Sequence, residues 1–209
     1  MFGDGPLTLR EFAIKEPLPL ARIHDSVLEF MRHRDDAVLF GAQAVNAYVE
    51  EPRMTQNVDI MSTRASELAE EIRTHLSKQF TIAVRVREVS SGRGFRIFQL
   101  REPKNRHLVD IRQTEQLPPN QWVADVRVAT PEELIAQKVI AYAARRGQPK
   151  SGTDLRDLTL LLLAYPTLKT DADPVFDRLT ANGADSAALA EWQRLVALQI
   201  TAEDADSDF

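Results

Sequence analysis

The chain has no cysteine among its 209 residues, so neither a disulfide framework nor thiolate chemistry enters its function. Histidine is nearly as scarce: the four present are scattered, with no pair spaced on one helix face, which speaks against a zinc site. Long apolar runs are missing too. The longest, "LTLLLLAY" at 158–165, is far short of the roughly 20 residues that cross a bilayer. The opening "MFGDGPLTLREFAIKEPLPL" has acids and prolines where a signal peptide would carry an apolar stretch, and does not read as one. The expectation is a cytoplasmic protein with no membrane partner.

What is present is ordinary in bulk and uneven in placement. Apolar content of 44% and charged content of 27% are those of a globular domain. A net charge of −5 argues against a chain that coats nucleic acid non-specifically. Yet residues 80–150 hold 13 Lys/Arg against 7 Asp/Glu, while the rest holds 13 against 24. That bias fits a solvated mixed surface or, more sharply, a groove for a polyanion. Arg85, Arg87, Arg96 and Arg112 form a candidate basic stripe on the exposed sheet face or an ordinary solvated strand surface; aromatic support is thin, with Phe95 and Phe98 the candidates and Phe98 better placed in the core.

Periodicity predicts an α+β fold with a mixed sheet of about five strands, flanking helices and a helical C-terminal part. Residues 1–20, with prolines at 6, 17 and 19, read as an extended arm; 21–129 as the α/β core; 130–201 as helical; 202–209 as a disordered acidic tail. Strands are expected at 36–40, 57–62, 80–89, 95–100 and 107–112, with a further short one in "VRVAT" and loop in "LPPNQW". Ser62 or Thr63 is a candidate cap for the helix after the second strand. Thr130–Pro131–Glu132–Glu133 is a helix start with Thr as N-cap, Pro at N1 and Glu at N3. Asn46 and Tyr48 read as helix surface and packing.

Three features carry candidate chemistry. Gly41 sits between a strand and a helix, where backbone N–H groups can hold a phosphate. Asp59 ("NVDIM") and Asp110 ("LVDIR") stand inside apolar strand runs; buried carboxylates are costly, so such acids either lie on a solvated face or hold a hard divalent cation. Further on, Lys138 and Arg145 are seven apart on one helix face, as contacts to a polyanion or as an exposed basic helix end. Asp154 reads equally as a functional acid or as an N-cap with Asp157 at N3.

The stretch "LFGAQAVNAYVEEPRMTQNVDIM" resembles the first motif of the nucleotidyltransferase-fold superfamily, the polymerase-beta-like group, and more closely the AbiEii-type toxins of bacterial toxin–antitoxin and phage-defence systems. That pattern is a hydrophobic strand, two small residues, a helix, then Arg-x-Thr-x-Asp-hydrophobic-Asp. Gly41 and Ala42 take the small positions, Arg53 and Thr55 match, Asn57 stands at the first Asp position, and Asp59 is the second. The similarity extends over "EELIAQKVIAYAARRGQPKSGTDLRDLTLLL", covering roughly residues 35–165. It implies Asp59, Asp110 and Lys138 as catalytic residues and Gly41, Ala42, Arg53, Thr55, Lys150 and Asp154 as nucleotide-binding ones. Asn57, Asp59 and Asp110 would hold Mg²⁺ (or Mn²⁺) bound with an NTP. The activity implied is transfer of NMP to a hydroxyl of RNA (tRNA) or protein, with an antitoxin as partner. Asn57, an amide where the family has an acid, implies weaker cation binding, or a non-catalytic module of the same fold.

Overall fold

The computed structural model describes residues 18–170 and 174–201. The expected N-terminal arm and acidic tail fall almost entirely outside these residues. The chain divides into two compact units. The first comprises the described residues up to Ala47 together with Pro52–Ala129; the second comprises Tyr48–Glu51 and the described residues from Thr130 onward.

The first unit is built on a sheet of seven strands, not five. These are β1 (Ala37–Phe40), β2 (Val58–Ser62), β3 (Val84–Val89), β4 (Gly94–Gln99), β5 (Arg106–Gln113), β6 (Asn120–Val123) and β7 (Val126–Ala129), in spatial order β3-β4-β5-β2-β1-β7-β6. The added strand, β6, falls where "LPPNQW" reads as loop. Two prolines mask it, but they precede the strand, and as an edge strand paired only with β7 it needs just one row of donors. The β6–β7 link is a two-residue turn with Ala124 at φ 47° and Asp125 at φ 66°, the positive-φ pair that follows strand twist.

Helices α1 (Leu20–Phe30) and α3 (Ala65–Phe80) cover one sheet face. Leu68, Ile72 and Leu76 of α3 are fully buried, as are Val58, Ile60, Ile97 and Val109 of the sheet. Helix α3 also takes Phe80, so β3 starts at Val84, later than the period-two pattern from residue 80 suggests. The reversal is made by Thr81 at φ 52°, with Ser77 Oγ donating to the Ile82 carbonyl at 2.8 Å. At the front of α3 the Ser62 hydroxyl accepts from Arg64 N at 3.0 Å, and Gln113 Oε1 accepts from Ala65 N at 2.9 Å. Neither Ser62 nor Thr63 caps the helix as expected: the cap position is Arg64, whose own amide the Ser62 hydroxyl takes.

The second unit is helical: α4 (Pro131–Ala144), α5 (Pro149–Ala164), a 3-10 turn (Pro166–Leu168), α6 (Pro174–Ala181) and α7 (Ser186–Ala197). Helix α4 begins where Thr-Pro-Glu-Glu predicts, but Glu133 does not reach back to a cap. It is buried and accepts from Arg178 at 2.8 Å, Asn182 at 3.0 Å and Gln137 at 2.7 Å. Glu191 of α7 likewise takes Arg146 and Arg194. These buried acids pin α6 and α7 to the end regions of α4. No helix among the described residues is long and apolar enough to cross a membrane.

Ahead of β1, Asp36 bonds Arg34 at 3.0 and 2.8 Å and Arg64 at 3.2 Å, with Glu71 closing the cluster. The Arg34 hydrogen bond outweighs burial and holds the Asp36 carboxyl below the ordinary carboxylate range. A carboxyl depressed in the folded state stabilises the fold above its unfolded pKa of about 3.9, and that contribution is lost as pH falls through the folded value. Resistance to urea should therefore fall below about pH 4, with the unfolding midpoint moving to lower urea. Asp36→Asn should remove part of that acid limb and cost on the order of 1 kcal/mol at neutral pH, since the cluster is partly solvated.

Candidate functional site

Strands β2 and β5 run parallel, and their register sets Asp59 directly beside Asp110. The continuing ladder places Phe40 beside Asp59, Arg96 beside Asp110 and Arg87 beside Arg96. Phe40, Asp59, Asp110, Arg96 and Arg87 thus form one row across the sheet face opposite α1 and α3. Like charges directly opposed are destabilising, so this acid pair requires compensation.

Asn57 supplies it. Its Nδ2 donates to Asp59 Oδ1 at 2.8 Å and to Asp110 Oδ2 at 3.1 Å. Two carboxylate acceptors settle which end of the amide points inward, because only the NH₂ can donate to both. The other Asp110 oxygen accepts from Arg96 Nε at 2.9 Å and has His107 Nε2 at 3.3 Å. Burial works to raise the Asp110 pKa, but His107 and Arg96 prevail and hold it below the ordinary range.

His107 reaches Asp110 because of a bulge. The β4–β5 register shifts between Ile97 and Phe98, so both Leu108 and Val109 turn into the core. His107 is returned to the open face, stacked on Phe98 at 5.0 Å between ring centroids. Bulges re-aim side chains in this way beside functional sites.

Gly41 opens helix α2 (Gly41–Val45) at φ 71°. A Cβ there would lie 2.9 Å from both Cβ and Cγ of Asp59. Its missing side chain is the space the Asp59 carboxylate occupies. Thr55, buried, donates to Gln43 Oε1 at 3.0 Å, and Asn46 clasps the Arg53 main chain: Nδ2 donates to the carbonyl at 2.7 Å, and Oδ1 accepts from the amide at 3.0 Å. Asn46 is therefore a strut beneath the Arg53–Asn57 segment rather than plain helix surface. Ala42 lies half-buried beside Gly41.

Lys138 and Asp154 belong to the second unit. Lys138 Nζ is buried against Asp157 at 2.6 Å and Asp154 at 3.4 Å, while Arg145 bonds Asp154 at 2.7 Å. Helix α5 begins at Pro149, so Asp154 and Asp157 lie within it and do not cap it. Two acids and two cations close on each other, joining α4 to α5. Lys150 is exposed in the first turn of α5, apart from this cluster. In the same unit Arg156 donates to the Glu51 carbonyl at 3.3 Å, and Tyr48 meets Tyr165 edge-on at 6.0 Å. Sequence reasoning missed Gln43 and His107, and the pairing of Arg96 with Asp110. Once the β4–β5 hairpin is drawn, Arg96 follows from its register; nothing local signals the bulge that brings His107.

The donor set fits a hard divalent cation. Asp59 and Asp110 present carboxylate oxygens side by side, the donor type a hard cation takes, with the Asn57 amide between them. An amide turned by 180° would offer its oxygen. No group of three or more His, Cys, Asp or Glu suited to a metal occurs among the described residues, and the side chain between the two acids is the Asn57 amide. The surface depression over α1 and α3, lined by Phe30, Arg34, Glu71 and His75, is on the other face. Its Arg34 is taken up by Asp36 and Glu71.

Residues 25–206 match the family described as "Nucleotidyl transferase AbiEii toxin, Type IV TA system". No curated protein sequence matches the chain. Solved structures share its fold. The Megavirus polyadenylate synthase aligns at 12% identity and TM-score 0.60 over 79% of this chain, but that alignment spans only 36% of the synthase. An antigenic nucleotidyltransferase-like protein from Paracoccidioides brasiliensis aligns at 19% identity and TM-score 0.51, over 92% of this chain and 90% of that one. JHP933 from Helicobacter pylori aligns at 12% identity and TM-score 0.52, over 91% and 92%.

Two substitutions check the geometry. Gly41→Ala should cost more than about 1 kcal/mol in denaturant unfolding, from the positive φ alone, and should push Asp59 from its place. Lys138→Met should destabilise by about 3 to 5 kcal/mol, the usual penalty for stranding buried carboxylates, with loss of helical signal in circular dichroism as the readout.

Proposed function

This chain belongs to the AbiEii nucleotidyltransferase toxin family, and from that premise we propose that it transfers an NMP group from an NTP to a hydroxyl of RNA (tRNA) or protein. The observation that carries the reading is the side-by-side pairing of Asp59 and Asp110 beneath the Gly41 turn. In the proposed reaction the acceptor hydroxyl oxygen bonds to the α-phosphorus. The bond from that phosphorus to the bridging oxygen breaks, and pyrophosphate departs with the electron pair.

Asp110, held ionised by Arg96 and His107, accepts the hydrogen bond of the incoming hydroxyl, whose proton passes to solvent. Its low pKa suits orienting the hydroxyl better than retaining the proton. Asp59, Asp110 and the amide oxygen of a turned Asn57 would hold Mg²⁺ or Mn²⁺, which when bound draws charge from the phosphate oxygens. Gly41 gives the Asp59 carboxylate its room, the phosphates would lie beside the Gly41–Ala42 turn, and Thr55 and Arg53 are braced by Gln43 and Asn46. Lys138 and Asp154 support this reading as the frame of the second unit. A cognate antitoxin is the partner that family membership suggests.

One observation favours a second reading. The Asn57 amide already donates to both carboxylates, so the acid pair has a hydrogen-bonded partner without a cation. On that reading the chain is a non-catalytic module that keeps the fold and binds a partner. Labelled NTPs with total tRNA and Mg²⁺, given to the protein and to Asn57→Asp, separate the two. Transfer by both supports the enzyme as it stands, with the variant needing less Mg²⁺. Transfer by the variant alone supports the module. Transfer by neither, with no NTP-dependent rise in Tm, rejects the nucleotide reading.

A further inference from the structure

The acid row continues outward into a cationic face. Arg85 and Arg87 on β3, Arg96 on β4 and Arg112 on β5 are all exposed. Their registers place them on the same sheet face as Asp59 and Asp110: Arg87 opposes Arg96, Arg96 opposes Asp110, Arg85 opposes Phe98, and Arg112 opposes Gly94. Two of the four are engaged, Arg96 with Asp110 at 2.9 Å and Arg112 over the Phe40 ring at 5.0 Å. Among the described residues Arg85 and Arg87 have no hydrogen-bond or ion-pair partner, though Glu88 follows directly in sequence. Alternation turns Glu88 to the opposite face.

Arg87 stands opposite Arg96, and since only Arg96 of the two engages Asp110, the like-charge pair is compensated on one side only and Arg87 is left without an anion among the described residues. Beside it stand Phe98 and His107, stacked on each other and both half-buried, a small platform for a base. A chain with a net charge of −5 has thus gathered four guanidinium groups, two of them without a partner among the described residues, and an aromatic pair on one face that leads to its two central acids. Free mononucleotide accounts poorly for this extent. The row runs over three strands, and Arg85 and Arg87 are alternate residues of one strand, about 7 Å apart.

We infer that the open face of β3, β4 and β5 binds a single-stranded nucleic acid, with phosphates on Arg85, Arg87 and Arg96 and a base against Phe98 and His107. Its end is directed to Asp110. Only that direction rests on the nucleotidyltransferase reading; binding does not. The inference selects nucleic acid over protein as the acceptor class, because an acidic polypeptide would use the guanidinium groups and leave the aromatic pair idle.

The test is fluorescence anisotropy with a labelled 12-nucleotide single-stranded RNA, in EDTA and without nucleotide, across a salt series. Arg85→Ala/Arg87→Ala should weaken binding about tenfold and lower the slope of log affinity against log salt by about 1.4, two phosphate contacts at 0.7 each. Arg85→Lys/Arg87→Lys should restore most of the affinity and the slope. Phe98→Leu should weaken binding with the slope unchanged. Equal affinity and slope for the alanine variant would overturn the proposal, as would displacement of the RNA by polyglutamate as readily as by unlabelled RNA. Because metal and nucleotide are absent, failure here leaves the chemistry at Asp59 and Asp110 standing. RNA binding without label transfer would strike that chemistry alone.

Discussion

The direct apposition of Asp59 and Asp110 on parallel strands is the constraint that the rest of the site answers. Two carboxylates at that spacing repel, and on a strand face each is also partly stripped of water. The surrounding residues read as responses to that one cost. Asn57 places an NH₂ between the acids, Arg96 and His107 take the far side of Asp110, and Gly41 gives up its side chain so that Asp59 has room. Even the β5 bulge belongs to this set, since without the extra residue His107 would not stand on the open face.

How much of this the sequence discloses depends on whether the determinant is local. Gly41 and the two acids are legible because each breaks a local pattern: a glycine at a strand-to-helix turn, and an acid between apolar neighbours. Arg96 is legible only once a hairpin register is chosen. His107 is not legible at all, because one residue of bulge separates the face it takes from the face alternation assigns it. The seventh strand hides for a different reason. Asn120–Val123 is short, follows Pro118 and Pro119, and has no apolar alternation, being an edge strand stabilised by one neighbour.

The second unit shows the opposite failure, a local signal that is genuine but misleading. Asp154 and Asp157, three apart and just after a Gly-rich break, have the spacing of a cap. The helix instead starts at Pro149, because proline at N1 suits a helix start, and the acids fall one turn inside it. There they meet Lys138 and Arg145, and four charges that could each be assigned to a ligand are spent on one another. Burial separates the two cases. A lysine about 8% exposed with two carboxylates in contact has little left to offer a phosphate, whereas Arg85 and Arg87 are exposed and unpaired among the described residues.

Asn57 separates fold from chemistry. With an aspartate at that position three carboxylates would converge, and Arg96 with His107 would be too little positive charge to keep all of them ionised; a bound cation, or a raised pKa on one acid, would be needed. With the amide, both carboxylates already accept hydrogen bonds from one neutral side chain. The β2–β5 register is a backbone ladder and the Gly41 gap is filled by Asp59, so neither is built from the Asn57 side chain. Solved structures at 12% and 19% identity share the fold, and so speak to the fold alone. What the site does with a nucleotide turns on a narrower matter: the energy needed to rotate one amide away from two carboxylates, set against what a divalent cation returns when it takes the amide's place.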